Sequence, residues 1–174
     1  MELRLRDALV RSWRTDDAAP LVEAANNQRI AATLRDIFPH PYTVAGAEAY
    51  LGRVVGHEPE LSFCIEIDGR PSGGIGFHPG ADVNRLTAEV GYWLAESFWG
   101  GGIMTDVVRA MVAYAFATQP FERIEGYVFA NNPASERVLQ KAGFTREGRL
   151  RRNVTKNGEL LDTFVYSILR DEQG

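Results

Sequence analysis

The sequence predicts a mixed α/β chain, with a central, mostly antiparallel sheet of about six to seven strands and about four flanking helices. Three observations carry this. Strand, helix and strand patterns follow one another over residues 85–129, and such a crossover joins parallel strands, right-handed almost without exception. Asp68-Gly69 and Asn157-Gly158 each lie between strand-like runs; these dipeptides favour tight hairpins, whose strands are antiparallel. The 174 residues suit one domain with one sizeable core. No repeat, linker or low-complexity tract marks a boundary, so a single domain over 1–174 is expected.

The elements follow in order. Leu9, Val10 and Trp13 place a strand over 8–14. Thr15-Asp16-Asp17 offers an N-cap, and Pro20, Leu21, Val22 and Ala25 continue as a helix that Asn26-Asn27 ends or bends. The stretch 34–42 carries Pro39 and Pro41 and reads as an irregular loop. Thr43 caps a helix over 44–56, with Val44, Ala47, Tyr50, Leu51 and Val54 at helical spacing. Strands are expected over 61–67, 74–78 and 85–94. A helix over 103–118 places Ile103, Val107, Met111, Tyr114 and Ala115 on one face, and a strand covers 122–129. Asn132-Pro133 opens a short helix, with Asn132 at the cap and Pro133 at the first helical position, and Gly143 terminates it. The last hairpin joins 144–155 to 159–169.

Composition narrows the partners. The chain is 45% hydrophobic and 24% charged, ordinary for a soluble globular protein. Its net charge of −4 does not favour broad nucleic-acid binding, so no specific nucleic-acid partner is expected. Cys64 is the only cysteine and sits in the apolar run Leu61-Ser62-Phe63-Cys64-Ile65, where it reads as a buried structural thiol. Met1-Glu2-Leu3-Arg4 opens no signal peptide, and no apolar stretch approaches a membrane span. A cytoplasmic protein with no membrane partner is expected. His40, His57 and His78 lie far apart in sequence, so no metal site is expected.

Two segments carry chemistry. Phe98-Trp99-Gly100-Gly101-Gly102-Ile103-Met104-Thr105 lies where a strand gives way to a helix. Glycines there let the backbone turn and approach a ligand. The first helical amides have no internal partners and the helix dipole adds positive potential, which suits a phosphate or pyrophosphate. Read alone, the segment is equally a plain glycine-rich turn. No Gly-Lys-Ser/Thr follows, so it is not a nucleoside-triphosphate loop, and the spacing is not the dinucleotide fingerprint. The second segment runs from Asn132-Pro133-Ala134-Ser135 to Lys141-Ala142-Gly143-Phe144. Locally, Asn132 and Ser135 satisfy orphan amides. Both helix mouths follow neighbouring parallel strands, at the ends where open sheets bind ligands.

Glu89-Val90-Gly91-Tyr92-Trp93-Leu94, the Phe98–Thr105 run, Asn132-x-x-Ser135 and Lys141-x-Gly143-Phe144 together resemble the GCN5-related N-acetyltransferases. The nearest branch is similar to the RimJ/RimL type, as is the tail from Asn157-Gly158 through Asp162 to Arg170. The resemblance implies that fold, with a splayed parallel pair of strands, and acetyl-CoA as acyl donor without a metal. It places the CoA pyrophosphate on Gly100, Gly101, Gly102, Ile103, Met104 and Thr105, with Trp99 at the first loop position. Pantetheine would lie along Tyr92, Trp93 and Leu94 and touch Asn132. Gly101 stands where relatives often carry a basic or polar residue, and Met104 where they carry a small one.

The resemblance also implies direct attack by a primary amine. The amine must lose a proton, and Glu89 is the candidate base, directly or through water. A free amide near Trp93 or Leu94 would serve the oxyanion. The departing thiolate needs a proton or hydrogen bond. Relatives often use a Tyr on the short helix, but Leu139 stands there, leaving Ser135 as the hydroxyl. Asn27, Arg35, Asp36, Phe38, Pro39 and Tyr42 are candidates for the acceptor wall, with core packing of Phe38 and Tyr42 equally open. Arg146, Arg149, Arg151, Arg152 and Lys156 read as a solvated strand face, with contact to phosphate or an acidic partner as the other reading. The acceptor is a protein N-terminus, a polyamine, an aminoglycoside or another small amine. A non-catalytic CoA-binding module, a larger acyl group such as succinyl, and a homodimer all stay open.

Overall fold

The computed structural model describes residues 1–173. The strands run in the order β1-β2-β3-β4-β5-β6-β8-β7: β1 Glu2–Arg4, β2 Leu9–Ser12, β3 Ser62–Ile67, β4 Arg70–Pro79, β5 Thr87–Leu94, β6 Arg123–Phe129, β7 Thr145–Lys156 and β8 Glu159–Leu169. The helices are α1 Ala18–Ala25, α2 Gln28–Ala31, α3 Val44–Val54, α4 Ile103–Thr118 and α5 Pro133–Lys141. Among the described residues β5 and β6 pair in parallel, and β1–β2, β2–β3, β3–β4, β6–β8 and β7–β8 are antiparallel. The mixed, mostly antiparallel sheet with one parallel pair is thus the expected architecture.

The chain has one more strand and one more helix than expected, each for a local reason. β1 is three residues long, too short for a periodicity to register, and is folded onto β2 by a turn in which Leu5 N donates to Ala8 O at 2.8 Å. The helix that Asn26-Asn27 interrupts restarts at once: Asn27 is extended, and its Oδ1 accepts from Arg29 N at 2.8 Å, capping α2. The expected cap ahead of α1 is used differently. Thr15–Asp17 form a 3₁₀ turn, and the Asp17 carboxylate accepts from Arg14 N at 2.8 Å.

Two compact units can be separated, residues 1–76 with 92–103 and residues 77–91 with 104–173. In the first, Trp13, Leu21, Ala25, Tyr42, Ala47, Leu51 and Cys64 form a buried cluster, with Phe38, Tyr50 and Trp93 packed on it. Beside it lies a buried ion network. Arg11 is 2% exposed and Asp17 4%; the Arg11 guanidinium donates to both Asp17 oxygens at 2.8 Å and to Glu66 at 2.6 Å. These carboxylates raise the Arg11 pKa above its ordinary value against the opposing effect of burial. Taking charges out of water is costly unless they are paired in this way.

In the second unit, Val107, Val108, Met111, Val112 and Ala115 of α4 are buried, as are Ile124, Leu139 and Tyr166. The C-terminal end of α4 is pinned by Arg170, whose guanidinium donates to the carbonyls of Phe116, Gln119 and Phe121, the second at 2.9 Å. Phe116 lies in the last turn of α4, where carbonyls have no partner within the helix, and Gln119 and Phe121 follow its end. α5 ends as the glycine expectation requires. Gly143 adopts φ 98° and Phe144 N donates to Leu139 O at 3.0 Å, the wrap typical of a left-handed helix terminus.

Candidate active site

In the first unit the glycine loop grows out of the end of β5. A 3₁₀ turn over Glu96–Phe98 leads to Trp99, whose indole Nε1 donates to Leu94 O at 2.8 Å. Gly100 and Gly102 follow with φ 81° and 85°, a region that side chains rarely adopt. A Cβ at Gly100 or Gly102 would meet nothing within 4 Å, so space stands open over the loop. Ile103 then begins α4. Met104 and Thr105 are buried, which leaves their backbone amides, not their side chains, as the groups they can offer a ligand.

Trp93 explains two further glycines. Its carbonyl oxygen lies 2.6 Å from where a Gly73 Cβ would stand, and its Nε1 lies 2.8 Å from a Cβ at Gly74. Both distances are too short for a side chain, so β4 must be bare beneath Trp93. Phe38 stacks at 5.5 Å from Trp93 and 5.1 Å from Tyr42. Tyr42 is 7% exposed and belongs to the core cluster, and burial raises its phenol pKa. Asn27 caps α2 with one end of its amide and donates from the other to Glu96 at 2.8 Å. Of the six acceptor candidates, Asn27 and Tyr42 therefore have structural duties here, Phe38 lines the Trp93 ring, and Arg35, Asp36 and Pro39 are exposed.

Glu96 is a residue that sequence reasoning missed. It also pairs with Arg29, whose guanidinium carbon lies 5.5 Å from the centre of the Trp99 ring. The partners are 67 and 69 positions apart, a separation over which no local pattern speaks.

In the second unit the recorded β5–β6 ladder covers Thr87↔Arg123, Ala88↔Ile124 and Glu89↔Glu125, although β5 continues to Leu94 and β6 to Phe129. Glu89 is half-buried at the last rung. Register partners share a face of a sheet, so Glu89 and Glu125 lie side by side. Glu125 accepts from Arg123 at 3.1 Å and from the Tyr127 hydroxyl at 3.0 Å. The Tyr127 phenol is held above its ordinary pKa, first by burial, then by its bond to Glu125 and by the charges of Glu125 and Glu89. Sequence reading named Glu89 as the candidate base and did not name Glu125 or Tyr127, whose proximity depends on strand register.

At the mouth of α5, Asn132 Oδ1 accepts from Ser135 N at 3.2 Å. The cap reading thus holds, and Ser135 is half-buried in this turn. Leu139 is buried, and a Cβ at Gly126 would lie 3.0 Å from it. This position packs against β6. In the last hairpin the basic residues part ways. Arg146 stacks on Phe164 at 3.7 Å and Lys156 is buried, while Arg149, Arg151 and Arg152 are exposed. Among the described residues no three His, Cys, Asp or Glu side chains gather to hold a metal, and no helix is long and apolar enough to cross a membrane.

Residues 7–145 match the family described as the acetyltransferase (GNAT) domain. The chain belongs to the GNAT acetyltransferase family. It is 41% identical over 101 residues to the uncharacterized N-acetyltransferase YoaA of Bacillus subtilis, a match covering 58% of this chain and 56% of that one. The matched stretches span about half the length of the curated GNAT relatives. Solved GNAT structures extend the likeness of fold to the whole chain. The ribosomal-protein-S5-alanine acetyltransferase from Vibrio fischeri superposes with a TM-score of 0.86 at 22% identity, covering 100% of this chain and 99% of that one. A spermidine N-acetyltransferase from Vibrio cholerae, solved with CoA and spermine, does so with a TM-score of 0.79 at 19% identity, covering 97% and 99%.

Proposed function

We propose that this chain is an acetyl-CoA-dependent N-acetyltransferase of the RimJ/RimL-like branch, acting in the cytoplasm as a single domain on a primary amine. The observation that carries the reading is the pair of left-handed glycines, Gly100 and Gly102, opening directly onto α4 in a chain of this family. Open space over left-handed glycines, followed by helical amides, suits a diphosphate. Gly100 to Thr105 would hold the CoA phosphates through backbone N–H groups. Tyr92, Trp93 and Leu94 would bond the pantetheine amides as an added strand does, with Asn132 donating from its amide nitrogen. When bound, acetyl-CoA supplies an acyl group on a good leaving thiolate.

The chain's own groups then manage protons and orientation. Glu89, on the last rung of the parallel ladder, accepts the proton of the incoming amine, directly or through water. The Ser135 hydroxyl donates a hydrogen bond toward the departing sulfur. A serine hydroxyl is a weak acid, so charge stabilisation is its larger contribution. No metal enters this scheme. A protein N-terminus is the favoured acceptor. Relatives bear names for both ribosomal proteins and spermidine, and a shared fold does not choose between them.

The test follows free thiol release from acetyl-CoA with a panel of peptide N-termini, polyamines and aminoglycosides. Transfer to at least one class is expected. Ser135→Ala and Glu89→Gln should each lower kcat by about 10²-fold or more while CoA affinity changes less than threefold. Full turnover in both variants would remove the catalytic assignment. Tight CoA binding with no amine acetylated would leave a binding module instead.

A further inference from the structure

The hairpin of β7 and β8 is broken by a bulge. Leu150 pairs with Thr163 and Val154 with Leu161, so Arg151, Arg152 and Asn153 stand opposite the single residue Asp162. Arg152 takes φ 51°, and its amide donates to Asp162 Oδ1 at 2.8 Å, while the Arg149 guanidinium pairs with Oδ2. One aspartate thus pins the bulge. Its backbone carbonyl also accepts from Ala130 N at 2.9 Å, two residues before Asn132. The bulge is therefore fastened to the same turn that presents Asn132 and Ser135.

An open cavity of about 580 Å³ is lined by Arg149, Arg151, Arg152 and Asp162. Three guanidinium groups share it with one carboxylate, a formal excess of two positive charges. Holding the bulge requires only Asp162, the Arg152 amide and Arg149. The remaining cations, Arg151 and Arg152, carry like charge and repel one another. Such an arrangement is relieved by a compact anion, which arginine forks grip in two places. The lining carboxylate works against an extended polyanion.

We propose that this pocket binds a compact anion, a carboxylate or phosphate carried by the acceptor, and so selects amines with a negative group beyond the reacting nitrogen. The inference rests on the transfer reading in one respect: the CoA phosphates are assigned to the glycine loop, so the anion here arrives on the other substrate.

The experiment measures binding, which needs no turnover. Three hexapeptides with free N-termini and a C-terminal fluorophore, carrying three aspartates, one phosphoserine or three asparagines, are titrated by anisotropy at saturating CoA. At least one of the two anionic peptides should bind about tenfold or more tightly than the asparagine peptide, with the preference shrinking as salt rises. Arg151→Gln with Arg152→Asn should erase it; both positions are exposed, and asparagine tolerates the left-handed backbone. Arg85→Gln, an exposed cation outside the hairpin, should leave it intact. Equal binding of all three peptides, no measurable binding, preference surviving in the double variant, or equal loss with Arg85→Gln would each overturn the pocket. A preference with no amine acetylated would sink the transfer reading alone; acetylation of neutral and acidic amines alike, with no preference, would sink the pocket alone.

Discussion

Replacing Asp17 with alanine should cost this fold about 3–4 kcal/mol. The Arg11 guanidinium is almost wholly removed from water and makes four contacts: two to Asp17, one to Glu66 and one to Ser12 O at 3.0 Å. Asp17→Ala leaves Nη2 without its partner and Nη1 with Ser12 alone, and it strips the Arg14 amide of its acceptor. Removing one member of a buried pair costs about 3–5 kcal/mol, because the other charge stays behind. Glu66 remains and holds the loss toward the lower end, and the orphaned Arg14 amide adds to it. With m near 2 kcal/mol/M, the urea midpoint should fall by about 1.5–2 M at unchanged slope. Arg11→Met, Asp17→Leu and Glu66→Gln together should recover most of that, since apolar replacement of a whole buried network is often neutral or better. A single-variant loss below about 1 kcal/mol would refute the claim that this charge is buried and dependent on Asp17.

Two further outcomes follow from geometry already described. Gly102→Asp should weaken CoA binding at least tenfold by calorimetry, because it forces a side chain into φ 85° and sets a negative charge beside the phosphate amides; unchanged affinity would detach the loop from the cofactor. Cys64 is fully buried, and burial pushes its thiol up to about 12. The fold therefore holds this proton more tightly than the unfolded chain does. Its contribution is complete below about pH 9 and is lost as pH rises from there toward 12, by about 1 kcal/mol per unit near pH 10. Cys64→Ala should flatten the alkaline decline in stability measured by urea melts, only in part because Tyr50 is also raised, to about 12; parallel declines would contradict the assignment.

What the sequence made legible was what local chemistry decides. Asn132 and Thr43 cap their helices as their positions demand. Asn157-Gly158 turns the last hairpin with φ 51° and 80°. The crossover over 85–129 produced the parallel β5–β6 pair. What stayed hidden depends on distant residues meeting. Glu96 finds Asn27 and Arg29 only after β5 and α2 are placed, and Glu125 meets Glu89 only through strand register. The bulge at Arg151–Asn153 cannot be seen in a run of arginines, because it is set by where Asp162 falls on the opposite strand. Tyr42 and Asn27 show the converse. A residue in the right loop can have its polar atoms or its surface already committed to the fold.

The Arg170 clamp decides which end of α4 is held. One carbonyl in the last turn of α4 and two in the segment just after it are gripped by one planar cation projecting from the residue that follows β8. Sliding the helix along its axis would strain that grip, at about 1 kcal/mol for each carbonyl left unmet. The rod is thus anchored at its far end. The freedom that remains lies at the leading end, in rotation about the bonds of Gly100 and Gly102.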